Sequence, residues 1–320
     1  MKVRAVRQTL RTNTGANTKS APSVPLAVEQ GKGSKDMDNP HDDGPIHAYV
    51  LGHSDRELER LSTQARLIDP ITQQIFRAAG IVPGMRVLDV GSGAGDVAFL
   101  AADMVGDAGE VVGAERVPAA VAVARARAEA RALRNVRFRE GDPAEMTFAQ
   151  PFDAIIGRYV LMFQRDPMVM LRQLAMHVRP GGVVVFHESD WGGVRSFPPV
   201  PTYDQCCRWI VETLRLHGTE SRMGIKLYST FVTAGLPAPS MQLTSFVTGG
   251  AHSADHVQLI ADIAGTLLPE MERLGVATAT EVGLETLAER IHNEAIASGS
   301  AMVGYLDIGA WSRVEHATPA

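Results

Sequence analysis

The chain is poor in aromatic residues, which fill 6% of its 320 positions, and it holds only two cysteines, Cys206 and Cys207, side by side. Adjacent thiols can supply neither a disulfide framework nor the four ligands of a structural zinc site, so no metal centre is expected. They read as buried thiols in a reducing compartment, and a cytoplasmic location is the expectation. Positive charge is also in short supply, because 31 Lys and Arg against 36 Asp and Glu leave a formal charge of −5. That sign is wrong for general contact with nucleic-acid phosphates or an anionic membrane surface. No apolar run approaches the roughly 20 residues that cross a bilayer. Neither nucleic acid nor membrane is therefore an expected partner.

What is present, 45% hydrophobic and 21% charged residues, suits one large α/β domain or two modest ones. Residues 1–20 carry Lys2, Arg4, Arg7, Arg11 and Lys19 without an acid, faintly like a transit peptide but with no apolar core for a secretory signal. Residues 1–45 show no period of 2 or 3.6 and read as a solvated, disordered tail.

Order is expected from Tyr49 onward. Ser54 stands three residues before Glu57, as in a capping box, and Leu58, Leu61, Ala65 and Ile68 follow at helical spacing. A second helix is expected at "DPITQQIFRAAG", with Asp69 as its cap, Pro70 in its first turn and Gly80 closing it. Beyond Gly84, short apolar runs at about 86–90, 110–115, 136–139, 152–157 and 182–187 alternate with helical patterns at about 95–105, 118–133 and 166–178. Strands joined by such crossovers form a parallel sheet wound on both faces, with ligands at the strands' carboxyl ends.

The stretch "VLDVGSGAGD" places Gly91, Gly93 and Gly95 after the first strand, with Asp89 and Asp96 on either side. A dinucleotide loop wants Gly-x-Gly-x-x-Gly, and the sixth position counted from Gly91 is Asp96. Two carboxylates beside a pyrophosphate repel it by several kcal/mol, on the order of a close Coulomb pair at low effective dielectric. An ammonium or sulfonium is attracted instead. Glu115 ends the second strand, where a carboxylate can accept from both ribose hydroxyls, and Asp142 ends the third, within reach of an adenine amino group. These features describe an adenosyl pocket without a phosphate site.

The sequence resembles the class I S-adenosylmethionine-dependent methyltransferases, in particular the small-molecule branch with the ubiquinone and menaquinone biosynthesis enzymes. The resemblance covers residues 80–190 and rests on "VLDVGSGAGD", "GAER", "EGDPAEM", "FDAIIGRYVLMF" and "VRPGGVVVFHE", in order and suitably spaced. It implies S-adenosylmethionine as cofactor, with Gly91 and Gly93 against its methionine part and Asp89 anchoring the amino group. Glu115 would hold the ribose and Asp142 the adenine, with Arg116 and Pro143 packing nearby. Ser92, Gly95, Arg158 and Tyr49 complete the candidate cofactor set, and His53 and Gln64 are further contacts to consider. At "GRYV", residues 157–160, the Asn-Pro-Pro-aromatic signature of enzymes that methylate base amines is missing.

The implied fold is a Rossmann-like, doubly wound, seven-stranded, mostly parallel α/β sheet with an antiparallel last strand and helical lid insertions. The implied division is a tail (1–45), an N-terminal helical cap over the cofactor (46–80), the cofactor-binding core (81–190), a helical substrate lid carrying a sixth strand (191–300) and the closing strand (301–320). Helices near 202–217, 224–234, 254–274 and 281–298 would form the lid. Trp191, Phe197, Tyr203, Trp209, Tyr228 and Phe231 could there enclose a small aromatic or isoprenoid-like acceptor, although each also suits core packing. If the acceptor must lose a proton, His187 and Asp190 in "FHESDW" are the candidate catalytic bases, with Glu188 a weaker third. Asp153 reads as structural, and the arginines between Arg125 and Arg139 as a solvated face. The expected partner is a small-molecule substrate, with a homodimer left open. Two rivals stand beside this reading: a non-catalytic cofactor-binding protein and an NAD-dependent oxidoreductase.

Overall fold

Nine consecutive residues from Gly182 to Asp190 are buried, which a strand achieves only when sheet neighbours flank both edges and helices cover both faces. In the computed structural model, which describes residues 55–315, that strand lies inside an eight-stranded mixed sheet. The elements run α1 (Asp55–Ala79), β1 (Arg86–Val90), α2 (Asp96–Val105), β2 (Glu110–Glu115), α3 (Pro118–Ala130), β3 (Val136–Glu140), β4 (Phe152–Arg158), α4 (Pro167–Ala175) and β5 (Val178–Asp190). They continue as β6 (Arg195–Phe197), α5 (Pro201–His217), α6 (Met223–Thr233), β7 (Ser240–Gly249), α7 (Ala254–Arg273), α8 (Ala279–Val282), α9 (Leu284–Ser298) and β8 (Ala301–Arg313).

Strands β3-β2-β1-β4-β5 are parallel. Strand β8 runs antiparallel to β5 along one edge and to β7 along the other. Strand β6 is the addition to the expected seven. It resumes the line of β5 after a short turn at Trp191–Gly193 and pairs with the start of β8, Arg195 opposite Val303. Three residues, "RSF", are too short to register as a strand by pattern alone.

The two helices expected near the amino terminus form one, α1, with Pro70 inside it. Asp69 does not cap a new helix, because its carboxylate is bonded to the Arg158 guanidinium at 2.7 Å. The proposed Ser54–Glu57 capping box lies outside the described side chains, as do Tyr49, His53, the side chain of Gln64 and the tail.

Ile71, Ile75 and Phe76 of α1 share a core with α2, α3 and one sheet face, and α4 and α6 cover the other face. Helix α1 approaches β8 so closely that a Cβ on Gly309 would lie 2.5 Å from Ile75. The third core joins α5, α7 and α9 with Ile68, Met302 and Tyr305. Tyr203 and Phe231, two of the six aromatics suggested for the lid, are fully buried in these cores, where each contributes about 2–3 kcal/mol by burial. Phe197 is 81% exposed and Tyr228 50%, so neither encloses anything among the described residues. Both cysteines are buried, and burial pushes the Cys206 thiol up to about 12.

Asp153 is structural as expected. Burial opposes its ionisation, but the Arg86 amide at 2.6 Å and the Arg179 guanidinium at 2.5 Å hold it below the usual carboxylate range.

His256 on α7 is buried, its Nδ1 2.8 Å from the Thr248 hydroxyl, and burial lowers its pKa from 6.5 to about 4. The unfolded chain therefore takes up this proton first as pH falls. The stability that neutral His256 contributes is complete above about pH 6.5 and is lost towards pH 4, some 3 kcal/mol in total. Chemical denaturation of His256→Gln at pH 7 and pH 4.5 should show a smaller loss on acidification than the parent shows. An equal loss in both proteins refutes it.

Candidate active site

The glycine turn after β1 is built by backbone geometry. Gly91, Gly93 and Gly95 all have positive φ, of 63°, 50° and 94°. A side chain at Gly95 would also drive its Cβ to 2.8 Å from the Phe99 ring and 2.9 Å from that of Phe138. Over Gly93 the space is open, and beside Gly91 stands Val160, 3.0 Å from where a Cβ would be.

Two polar atoms beneath this turn have no partner among the described residues, Asp89 Oδ2 and Ser92 Oγ, and both residues are buried. An unpartnered buried polar group is costly, so such atoms mark a place where a ligand completes the bonding. Burial holds the Asp89 carboxyl well above the usual range; Arg158 works against that shift, while Glu115 and Asp96 add to it. Glu115 reaches across from β2, accepting from the Gly93 amide at 3.0 Å and from the Val117 amide at 2.9 Å. Each carboxylate oxygen takes two hydrogen bonds, so Glu115 retains capacity for two hydroxyls. Asp142, at the end of β3, accepts from the Ala144 amide and lies 3.6 Å from Arg116, with Pro143 between it and Ala144 in sequence.

Asp96 plays a different part from the one its position suggested. The Arg127 guanidinium binds it at 2.6 Å and also donates to the Ala94 carbonyl. That pairing gives Asp96 a partner within the loop, so it is Asp89 that is left with an unpartnered oxygen below the turn. Arg127 is thus a structural brace of the loop, not part of a solvated face.

Four ionisable side chains lie in a row across neighbouring strand ends, Asp89 on β1, Arg158 on β4, His187 on β5 and Asp307 on β8. The register fixes the order: Asp89 is opposite Ile156, Arg158 opposite His187, and His187 opposite Gly309, two residues from Asp307. Strand alternation puts all four on the face that α1 covers. Arg158 binds Asp69 and the Thr72 hydroxyl, at 2.7 Å and 3.1 Å. His187, fully buried, has Nδ1 3.1 Å from Thr72 Oγ1 and Nε2 3.0 Å from Asp307 Oδ1. The Tyr159 hydroxyl donates to the same Asp307 oxygen at 2.5 Å.

The other two acids of "FHESDW" are engaged by backbone. Glu188 accepts from the amides of Val160, Leu161 and Met162, and burial pushes it up to about 7 against those three bonds. Asp190 accepts from Gly192 and Ile225 amides and lies 3.6 Å from Arg222. Both tie loops to the end of β5. The structure thus brings Asp89, Ser92, the three glycines, Glu115 and Arg158 around one turn and draws His187 into the row, while Asp190 faces the start of α6. Asp307 and Tyr159 were not singled out in the sequence. An acid inside the apolar run "YLDIGAW" of a buried strand was the available signal.

An open glycine turn flanked by the buried Asp89 and by Glu115, at the carboxyl ends of a doubly wound sheet, is the arrangement of an S-adenosylmethionine-dependent enzyme of the Rossmann-like class. Residues 81–215 match the family described as methyltransferase domain. The 2-phytyl-1,4-naphtoquinone methyltransferase of Synechococcus elongatus is 31% identical over 194 residues, covering 59% of this chain and 80% of that protein. The demethylmenaquinone methyltransferase of Lactococcus lactis is 29% identical over 131 residues, 41% of this chain and 50% of that one. A Bacillus halodurans protein assigned as a methyltransferase shares the fold at a TM-score of 0.51 and 15% identity, over 76% of this chain and 98% of its own. The chain belongs to the class I S-adenosylmethionine-dependent methyltransferases that act on small molecules. No helix among the described residues is long and apolar enough to cross a membrane.

Proposed function

We propose that the enzyme methylates a small apolar or aromatic metabolite, with the donor's methionine end over Gly91 and Gly93 and its ammonium against Asp89. The observation that carries the placement is the buried Asp89 oxygen without a partner under an open glycine turn. Ser92 offers a second unpaired atom, Glu115 takes the ribose hydroxyls, and Asp142 takes the adenine amine beside Arg116 and Pro143. The donor supplies a methyl carbon on a sulfonium, already a good leaving group. What this chain's residues add is alignment and exclusion of water. Helices α5, α7 and α9 act as the lid and α1 as the cap. The names of the naphthoquinone and menaquinone relatives support a flat, apolar acceptor for this chain as well.

Incubating the protein with donor labelled in its methyl group and a cell extract, then searching by mass spectrometry for a gain of one CH₂, tests the proposal. Binding without any methylated product favours a non-catalytic role. Calorimetric binding of NADH in place of S-adenosylmethionine favours the oxidoreductase.

Replacing Glu115 by Ala removes the ribose contacts and two amide bonds of the turn. Donor affinity measured by calorimetry should fall by roughly 1–3 kcal/mol, or about five- to 150-fold. Unchanged affinity would show that the ribose lies elsewhere.

A further inference from the structure

Tyr159 follows the last residue of β4 and has a φ of 55°, a conformation that a bulky side chain adopts only when its surroundings enforce it. What enforces it is polar: the hydroxyl is bound to Asp307, and the ring lies 5.3 Å from that of His187. Asp307 is fully buried, and its second oxygen has no partner among the described residues. Tyr159 itself is only partly buried, while its hydroxyl rests on a buried acid. The next residue is Val160, whose side chain abuts Gly91. Strained backbone and a half-bonded buried carboxylate both cost stability, and packing alone explains neither.

The donor and acceptor roles can be counted. The Thr72 hydroxyl has one proton, which goes to the Ile68 carbonyl at 3.1 Å or to His187 Nδ1, and it accepts from Arg158. With the Thr72 proton directed at Nδ1, His187 carries a proton on Nε2 and donates it to Asp307. Asp307 then receives two hydrogen bonds on Oδ1, from His187 and Tyr159, and its Oδ2 has no partner among the described residues. The charged and titratable groups around it are Tyr305 beside it on β8, His187 on β5, Tyr159 and Arg158 on β4, and Asp69 on α1.

We propose that Tyr159 contacts the acceptor, and that the acceptor is a phenol- or enol-type compound whose hydroxyl gives up its proton through Tyr159 to Asp307. The proposal rests on the reading that the methyl end of the donor lies over Gly91 and Gly93. As the acceptor's electron pair, at oxygen or at the conjugated carbon, bonds to the methyl carbon, the carbon–sulfur bond breaks and its pair stays on sulfur. The hydroxyl proton passes to the Tyr159 oxygen while Tyr159's own proton moves to Asp307. Methylated acceptor, thioether and one proton on Asp307 balance the sulfonium charge consumed. Asp307 and His187 are positioning residues, acting through Tyr159.

The test uses the full chain saturated with S-adenosylhomocysteine and compares binding of 1-naphthol with 1-methoxynaphthalene. The parent should prefer the naphthol by about tenfold, the worth of one hydrogen bond to a charged relay. Tyr159→Phe should bring the pair to within about twofold, Asp307→Asn should do the same, and Asp307→Glu should restore part of the preference, a rescue that a merely structural role does not produce. S-adenosylhomocysteine affinity should be unchanged in all three. Naphthol that fails to bind, a parent without preference, or a preference surviving Tyr159→Phe overturns the relay alone. Failure of the parent to bind S-adenosylhomocysteine instead overturns the placement of the donor, and the relay with it.

Discussion

Asp89→Asn is expected to weaken S-adenosylmethionine binding by roughly 1.5–3 kcal/mol, about ten- to 150-fold, while leaving the protein more stable. The two effects have one cause. Asp89 is 1% exposed, and burial disfavours its ionised form strongly enough to raise the carboxyl well above the usual range. A carboxylate held in that state is a liability to the free fold, because desolvation is uncompensated on Oδ2. The same isolation makes it a strong partner for an arriving ammonium. The asparagine keeps the shape and removes both the cost and the attraction, a trade often found at binding sites. Scanning calorimetry should show a Tm higher by about 2–4 °C for a gain of about 1 kcal/mol.

The sign with pH follows. The donor meets the ionised carboxyl, so parent affinity should fall as pH drops through the raised pKa of Asp89, and the asparagine variant should show a flatter dependence. Equal affinity for the donor in parent and variant would remove the foundation of the proposed site.

The glycine turn was legible in the sequence because positive φ imposes residue type directly, and the acids at strand ends because they stand where the apolar runs stop. Gly95 has no room for a Cβ, and Glu115 must be an acceptor at a fixed distance along the second strand. Strand bounds from β1 to β4 were legible for a similar reason, since buried parallel strands are short apolar runs between polar helices. Pairings between distant segments were not. Asp69 looks like a cap beside Pro70, and only the arrival of Arg158, 89 residues later, turns it into an ion-pair partner and lets α1 run through. Likewise Asp96 is paired by Arg127, and nothing local in "GAGD" announces it. Asp307 and Tyr159 meet across 148 residues, and their link depends on β8 inserting beside β5, a tertiary fact that periodicity does not contain. Asp190 illustrates the converse. Its neighbourhood in the sequence is that of a strand-end acid, yet the backbone of the next turn and of α6 takes up its oxygens.

The charge row makes a second large effect predictable, on the free protein. Among the described residues, Arg158 is the arginine placed between Asp69 and Asp89, with its side chain only 6% exposed. Replacing it by Met keeps apolar length but leaves Asp89 buried without a counter-charge and strips Asp69 and the Thr72 hydroxyl of their donor. Breaking such a pair from one side costs about 3–5 kcal/mol, more than removing both partners together. Urea unfolding of Arg158→Met should therefore show a loss of that size. Asp69 is 28% exposed and can be re-solvated, whereas Asp89 cannot. Adding Asp89→Asn to Arg158→Met should then restore at least half of the lost stability, and adding Asp69→Asn should restore much less. Donor affinity distinguishes the partners further, because the double variant with Asp89→Asn regains its fold but not its ammonium site. If Arg158→Met costs less than about 1 kcal/mol, or if the Asp69 change rescues it better than the Asp89 change, the row of charges is not the electrostatic unit that the strand register makes it.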